Sequence, residues 1–252
     1  MKIRICALLS LLPVLPCHAE SSLTFSTGID YSTGKYGATA RTDTLYVPFG
    51  VKYETADWTL RATIPYVEST GPSAVSGAGA DQITLTTGQG SRKKEAGLGD
   101  IVLAASWSAL QQGPWLVELG AKVKLSTSDA SKGLSTGKND FSVQTEVYRT
   151  LDRHTLFGTL GYKKMGDPDG TDLKDPFYVS LGWAFRASQA SALGLSYDFR
   201  QKIQDGGSPL REITGFLTHK LNPQWKLQTY LVSGYSKASP DLGGGVFVFY
   251  TY

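Results

Sequence analysis

The chain has 252 residues, of which 41% are hydrophobic and 19% charged, and its formal net charge is +3. That length suits one large domain or two small ones, and the near balance of charge leaves no basic patch of the kind that binds nucleic acid. Two cysteines exclude a disulfide scaffold, and beyond the N-terminus no apolar stretch reaches the ~18 residues of a membrane-spanning helix. A membrane β-barrel survives these exclusions, because its strands are only half apolar.

In chain order, the first element is an address. Lys2 and Arg4 form a positive n-region, Ile5 to Leu15 an apolar h-region, and Cys17-His18-Ala19 ends on a small residue. This is the plan of a secretory signal peptide, residues 1–19, cleaved after Ala19. Acylation of Cys17 is disfavoured by Pro16 before it and the bulky His18 after it. Both cysteines then leave with the leader, and the exported remainder, residues 20–252, holds bases and acids in nearly equal number.

From there period 2 dominates. Trp58, Leu60, Ala62, Ile64 and Tyr66 alternate with Thr59, Arg61, Thr63 and Pro65. Trp115 to Leu125, Phe177 to Phe185 and Leu193 to Phe199 repeat the pattern, and no comparable window carries a helical stripe. Twelve runs are predicted, near 22–33, 43–54, 57–67, 99–110, 114–126, 140–150, 154–164, 176–187, 191–202, 210–221, 224–235 and 242–252. Tight turns such as Thr55-Ala56 and Asn222-Pro223 alternate with longer polar loops, the longest predicted from Glu68 to Leu98. Short turns on one side, long loops on the other and an even strand count define an up-and-down antiparallel transmembrane β-barrel, all-β, of about 12 strands.

A β-sandwich also alternates. Runs of about 11 residues fit a tilted membrane strand better than the 5–6 of a soluble sheet. Aromatics also gather at strand ends on the apolar face, at Tyr53, Trp58, Tyr66, Trp107, Trp115, Tyr162, Trp225 and Tyr235, as two interfacial girdles would. The chain ends on an alternating strand with a terminal aromatic, Val246 to Tyr252, which resembles the C-terminal signal read by the barrel-assembly machinery of Gram-negative outer membranes.

Four segments carry a more specific likeness: Ser26 to Gly37, Thr42 to Tyr53, Trp58 to Pro72, and Gly97-Leu98-Gly99-Asp100-Ile101-Val102-Leu103. In that order they resemble the outer-membrane family labelled transporter-like proteins of the meta-pathway of phenol degradation. The resemblance implies the barrel fold and passage of small aromatic compounds across the outer membrane.

Sending the apolar parity to lipid sends the other parity to the lumen. The candidate constriction residues are Arg61, Asp100, Glu118, Lys122, Lys124, Glu146, Asp198, Arg200 and Glu212, with the aromatics Tyr178, Phe216, Tyr230 and Phe247. Closing the turns brings Asp100 opposite Lys124, within two residues, and Arg200 near Glu212. Such pairs pin strand register in one reading and shape a solute path in the other. The Asp100–Lys124 pair is expected to shape the outer constriction and, on the surface-pair scale, to contribute only about 0–1 kcal/mol.

The function expected is an outer-membrane channel or transporter passing small, hydrophobic or aromatic molecules. Its partners are lipid, lipopolysaccharide and the solute; no nucleic acid, cofactor or metal is expected. Arg92-Lys93-Lys94 is either a contact for lipopolysaccharide phosphates or a solvated basic run. The alternatives are a structural or adhesive barrel with a closed lumen and, behind it, a lipase-like barrel enzyme. The enzyme is disfavoured because the exported chain offers only His154 and His219, both beside short turns, with no serine near His219 on its own strand. No catalytic residues are assigned.

Overall fold

A computed structural model describes residues 21–76, 83–86 and 93–252. The leader and Arg92 lie outside the described residues. The strands are β1 (Ser22–Gly34), β2 (Thr42–Glu54), β3 (Trp58–Gly71), β4 (Ser73–Ser76), β5 (Ile83–Thr86), β6 (Lys93–Leu98), β7 (Ile101–Gln112) and β8 (Trp115–Leu125). They continue with β9 (Asp140–Leu151), β10 (His154–Lys164), β11 (Phe177–Arg186), β12 (Ser191–Arg200), β13 (Leu210–Lys220), β14 (Trp225–Gly234) and β15 (Leu242–Thr251). Each barrel strand pairs antiparallel with its sequence neighbour, and β1 closes on β15 from Thr24↔Thr251 to Thr33↔Leu242. Among the described residues the result is a closed barrel of twelve strands, in which β6 and β7 share one position, with a separate β4–β5 hairpin beside it. Among those residues no helix is long and apolar enough to cross a membrane.

The alternation read from the sequence sorts the side chains as a barrel requires. Ile29, Leu160, Leu181 and Leu231 stand on the outer surface, each more than half exposed. A barrel in water would not leave such residues bare, whereas lipid covers them. Aromatic rings frame this apolar band: Trp225 packs on Tyr250 at 4.9 Å near the short turns, and Tyr162 on Phe177 at 5.0 Å near the long loops.

The stretch from Glu68 to Leu98 departs from expectation. Instead of one long loop, its described parts are strands: β3 runs on to Gly71, and β6 returns along it from Gly71↔Lys93 to Tyr66↔Leu98. This ribbon rises above the apolar band, so neither face needs an apolar row and the sequence shows no period. Lys94 is held by Glu68 at 2.7 Å and Lys93 by Glu95, so the described part of the basic run is paired within the protein.

Between β6 and β7 the pairing with β3 slips by one residue, from Tyr66↔Leu98 to Thr63↔Val102. This is a β-bulge, which turns consecutive residues to the same side. Gly99 and Asp100 are accordingly both buried between the outward Leu98 and the next outward row. A Cβ on Gly99 would lie 2.8 Å from Pro65 Cγ, so the close approach at the bulge requires glycine.

At the long-loop end Ile83 of β5, Met165 and Leu173 of the loop after β10, and Ile203 of the loop after β12 form a buried apolar cluster. It ties three outer segments together above the strands.

Candidate functional site: the barrel lumen

All the candidate residues carry inward parity. A cavity of about 340 Å³ occupies the lumen and is lined from every one of the twelve barrel positions. Arg61, Asp100, Lys122, Lys124, Glu146, Asp198 and Glu212 line it, as do Tyr178, Phe216, Tyr230 and Phe247. Glu118 and Arg200 do not line it but are each only 2% exposed inside the barrel.

Towards the short turns the wall is aromatic. Leu116, Tyr148, Ala184 and Phe216 form a buried cluster with Phe157 and Tyr230 against it, and Tyr230 stacks on Phe247 at 5.9 Å and 16°. Five inward rings, with Tyr178 nearer the long loops, each face a glycine in register on the next strand: Phe157 with Gly182, Tyr178 with Gly161, Phe216 with Gly194, Phe247 with Gly28 and Tyr230 with Gly245. Without a side chain beneath it, the ring lies flat across the neighbouring strand rather than standing into the lumen. A Cβ on Gly182 would lie 2.1 Å from Phe157 Cζ, and one on Gly161 2.1 Å from Tyr178 Cζ. Lying across β10 in this way, the Tyr178 hydroxyl reaches Gln144 Oε1 on β9 at 2.6 Å; Gln144 and Tyr148 in turn donate to Glu146.

Nearer still to the short turns lie bases. Lys226 Nζ sits 4.4 Å from the Phe249 ring, and Lys52 pairs with Glu54 at 2.7 Å. Of these, Lys226, Lys52 and Phe249 were recognisable by parity as lumen residues, but nothing in the sequence set them apart from other inward positions.

Towards the outer mouth Asp100 is the hub. Lys124 Nζ approaches it at 3.1 Å, and the amides of Thr127 and Ser128, Ser128 Oγ and Ser135 Oγ all donate to it, Ser135 at 2.5 Å. Lys124 also reaches Asp140 at 3.4 Å and donates to Thr136 Oγ1 at 3.1 Å. The expected contact is present, but it belongs to a knot that draws the β8–β9 loop inward. The loop's part was invisible in the sequence, because serines and threonines in a polar loop give no periodic signal.

The other expected juxtaposition is shifted. Glu212 stands directly opposite Asp198, and Arg200 opposite Leu210 one inward row above. Arg200 remains near enough for its charge to act on Glu212, as does Asp30.

Three carboxylates in the outer loops are held below the ordinary range by lysines. Asp169 is lowered by its bond to Lys138 and Asp205 by its bond to Lys174. Burial acts to raise Asp175, but Lys164 at 2.7 Å and the Met165 amide at 2.8 Å outweigh it.

The two histidines face outward near the short turns. His154 Nδ1 accepts from Trp183 Nε1 at 3.1 Å. His219 Nδ1 lies 2.8 Å from Ser191 Oγ on the adjacent strand, a partner that the reading of its own strand could not reveal. Among the described residues no carboxylate or amide bonds His219 to complete a triad, and no group of metal ligands is present.

The architecture is that of outer-membrane barrels with a lined lumen. The profile of the family described as "Putative MetA-pathway of phenol degradation" matches residues 27–252, and the chain belongs to that family. The fold is shared with the COG4313 outer membrane channel from Pseudomonas putida F1, at a TM-score of 0.70 and 12% identity over 95% of this chain and 97% of that one. It is shared also with the NanC porin (0.58, 8%, covering 90% and 98%) and with the KdgM porin solved with disordered oligogalacturonate (0.54, 10%, covering 92% and 99%). No curated protein sequence matches this chain significantly.

Proposed function

We propose that this protein is an outer-membrane channel that passes small hydrophobic or aromatic molecules through its lumen and catalyses no reaction. The observation that carries this reading is the cavity itself, which draws its lining from every barrel strand and has one end walled by flat-lying rings. Its volume falls within the range of small-ligand sites, and flat rings offer stacking area without closing the path. The family description and the shared fold support the same reading. The outward apolar band would face lipid, and the last strand, β15, would present the signal for barrel assembly.

Planar-bilayer recording of the purified protein tests it. A steady single-channel current, interrupted in a concentration-dependent way by small aromatic solutes, is the expected result. A protein that inserts but carries no current and ignores such solutes would instead be a closed structural barrel.

A further inference from the structure

Three buried carboxylates, Asp30, Asp198 and Glu212, line the lumen cavity. Asp198 and Glu212 are direct cross-strand partners, and Asp30 lines the same cavity from β1. Like charges placed opposite each other on a sheet repel. Asp198 is bonded by Ser180 and Ser196. Glu212 is 2% exposed, and its Oε1 atom has no hydrogen-bond partner although the residue lines the cavity. Asp30 is 7% exposed and lines the same cavity, and among the described residues none bonds or ion-pairs with its carboxylate. Arg200 acts on Glu212 from one side, against the two acids Asp198 and Asp30.

Below and beside this arc stand rings. Asp30 pairs with Gly245, which pairs with Tyr230, so carboxylate and ring share a row across one bare glycine. The Tyr230 ring leans over that glycine, 3.0 Å from where its Cβ would be, and stacks on Phe247. Phe247 lies over Gly28, two residues below Asp30 on β1, or about 7 Å at the rise of a strand. A carboxylate arc one short step from stacked aromatic faces is the chemistry that holds an ammonium group joined to a ring, by charge at one end and by stacking or cation–π contact at the other.

We propose that Asp30, Asp198 and Glu212, with Tyr230 and Phe247, form a lumen subsite for small aromatic amines in their ammonium form. This deepens the channel reading above and rests on it. The subsite selects among aromatic solutes by the sign of their charge.

The test compares three solutes of one shape in planar bilayers: 2-phenylethylamine, 2-phenylethanol and phenylacetate. The amine is expected to interrupt the current at about tenfold lower concentration than the alcohol, with phenylacetate weakest of the three. Asp30→Asn should remove most of that advantage, and Asp30→Asn with Glu212→Gln the rest, so that amine and alcohol interrupt the current at the same concentration. Reversal potential in a salt gradient gives a second measure, since the same variants should shift selectivity away from cations. Equal responses to amine and alcohol in the wild type, or a preference that survives both variants, overturn the subsite but leave the channel standing. If none of the three solutes affects the current, the channel reading falls and the subsite with it.

Discussion

Asp100 shows how a single side chain changes meaning once its surroundings are known. Its inward direction and its lysine partner were legible: the apolar parity from Ile101 onward forces the first, and the tight turn between β7 and β8 the second. The bulge at Gly99 and the four donations from the β8–β9 loop were not, because neither leaves a periodic trace. With Asp100 only 5% exposed and bonded by Thr127, Ser128 and Ser135 as well as Lys124, the surface-pair scale no longer applies. Hydrogen bonds to a buried charge are each worth more than neutral ones, so Asp100→Asn should destabilise the loop by roughly 2–4 kcal/mol. Trypsin cleavage at Lys132 or Lys138 in the folded protein measures this, and the variant should be cut much faster than wild type. Lys124→Gln should not restore it in the double variant, because Lys124 also neutralises Asp140.

The lysine-bound carboxylates of the outer loops bear on acid sensitivity. Asp169, Asp175 and Asp205 all titrate below their ordinary value of 3.8 in the folded protein. A carboxylate depressed on folding contributes stability that is full above its unfolded pKa and is lost as pH falls through the folded one. The loops that meet in the apolar cluster of Ile83, Met165, Leu173 and Ile203 should therefore hold their arrangement from neutral pH down to about 4 and loosen below it. Hydrogen-exchange protection of the loop amides, corrected for the intrinsic pH dependence of exchange and recorded from pH 7 to pH 3, should stay level and then fall at the acid end. A change centred near pH 6 would contradict the assignment.

At the scale of whole strands, the pairing of inward rings with glycines lays the rings against the wall and leaves the lumen cavity its space. The rings themselves were readable from parity. Their glycine partners were not, because a glycine in a strand reads equally as a bend or a bulge until register is known. Gly182→Ala sets the consequence out: a methyl 2.1 Å from Phe157 Cζ cannot be accommodated, and the ring must swing off the wall. The variant should insert and remain a barrel, yet pass roughly half the wild-type current or less. Gly215→Ala on β13, where a Cβ would come no nearer than 3.4 Å to Leu195 Cδ2, is the control for a change of residue alone.

The whole molecule is where the sequence spoke most clearly. Strands that face lipid on one side and a lumen on the other must alternate, and eleven of the twelve predicted runs begin and end within about two residues of the observed strands. The third run, 57–67, stopped four residues short of the end of β3, and β6 was missed, because the β3–β6 ribbon stands above the apolar band, where alternation serves no purpose. Closure predicts a measurable resistance. With every barrel edge paired, the folded chain in unheated dodecyl sulfate should migrate apart from the boiled form and retain a β-type circular dichroism spectrum. A mainly helical spectrum, or one band at all temperatures, would be incompatible with this fold.

The seam between β1 and β15 has its own consequence for how the molecule comes into being. Thr24 and Thr251 share a hydroxyl–hydroxyl bond of 3.0 Å across a sequence separation of 227 residues. The first strand to leave the ribosome thus waits for the last before its outer edge is covered. Every shorter chain is an open sheet with two adhesive margins, prone to join its neighbours rather than itself. Closure is therefore a late event, because the seam cannot form until both β1 and β15 are present.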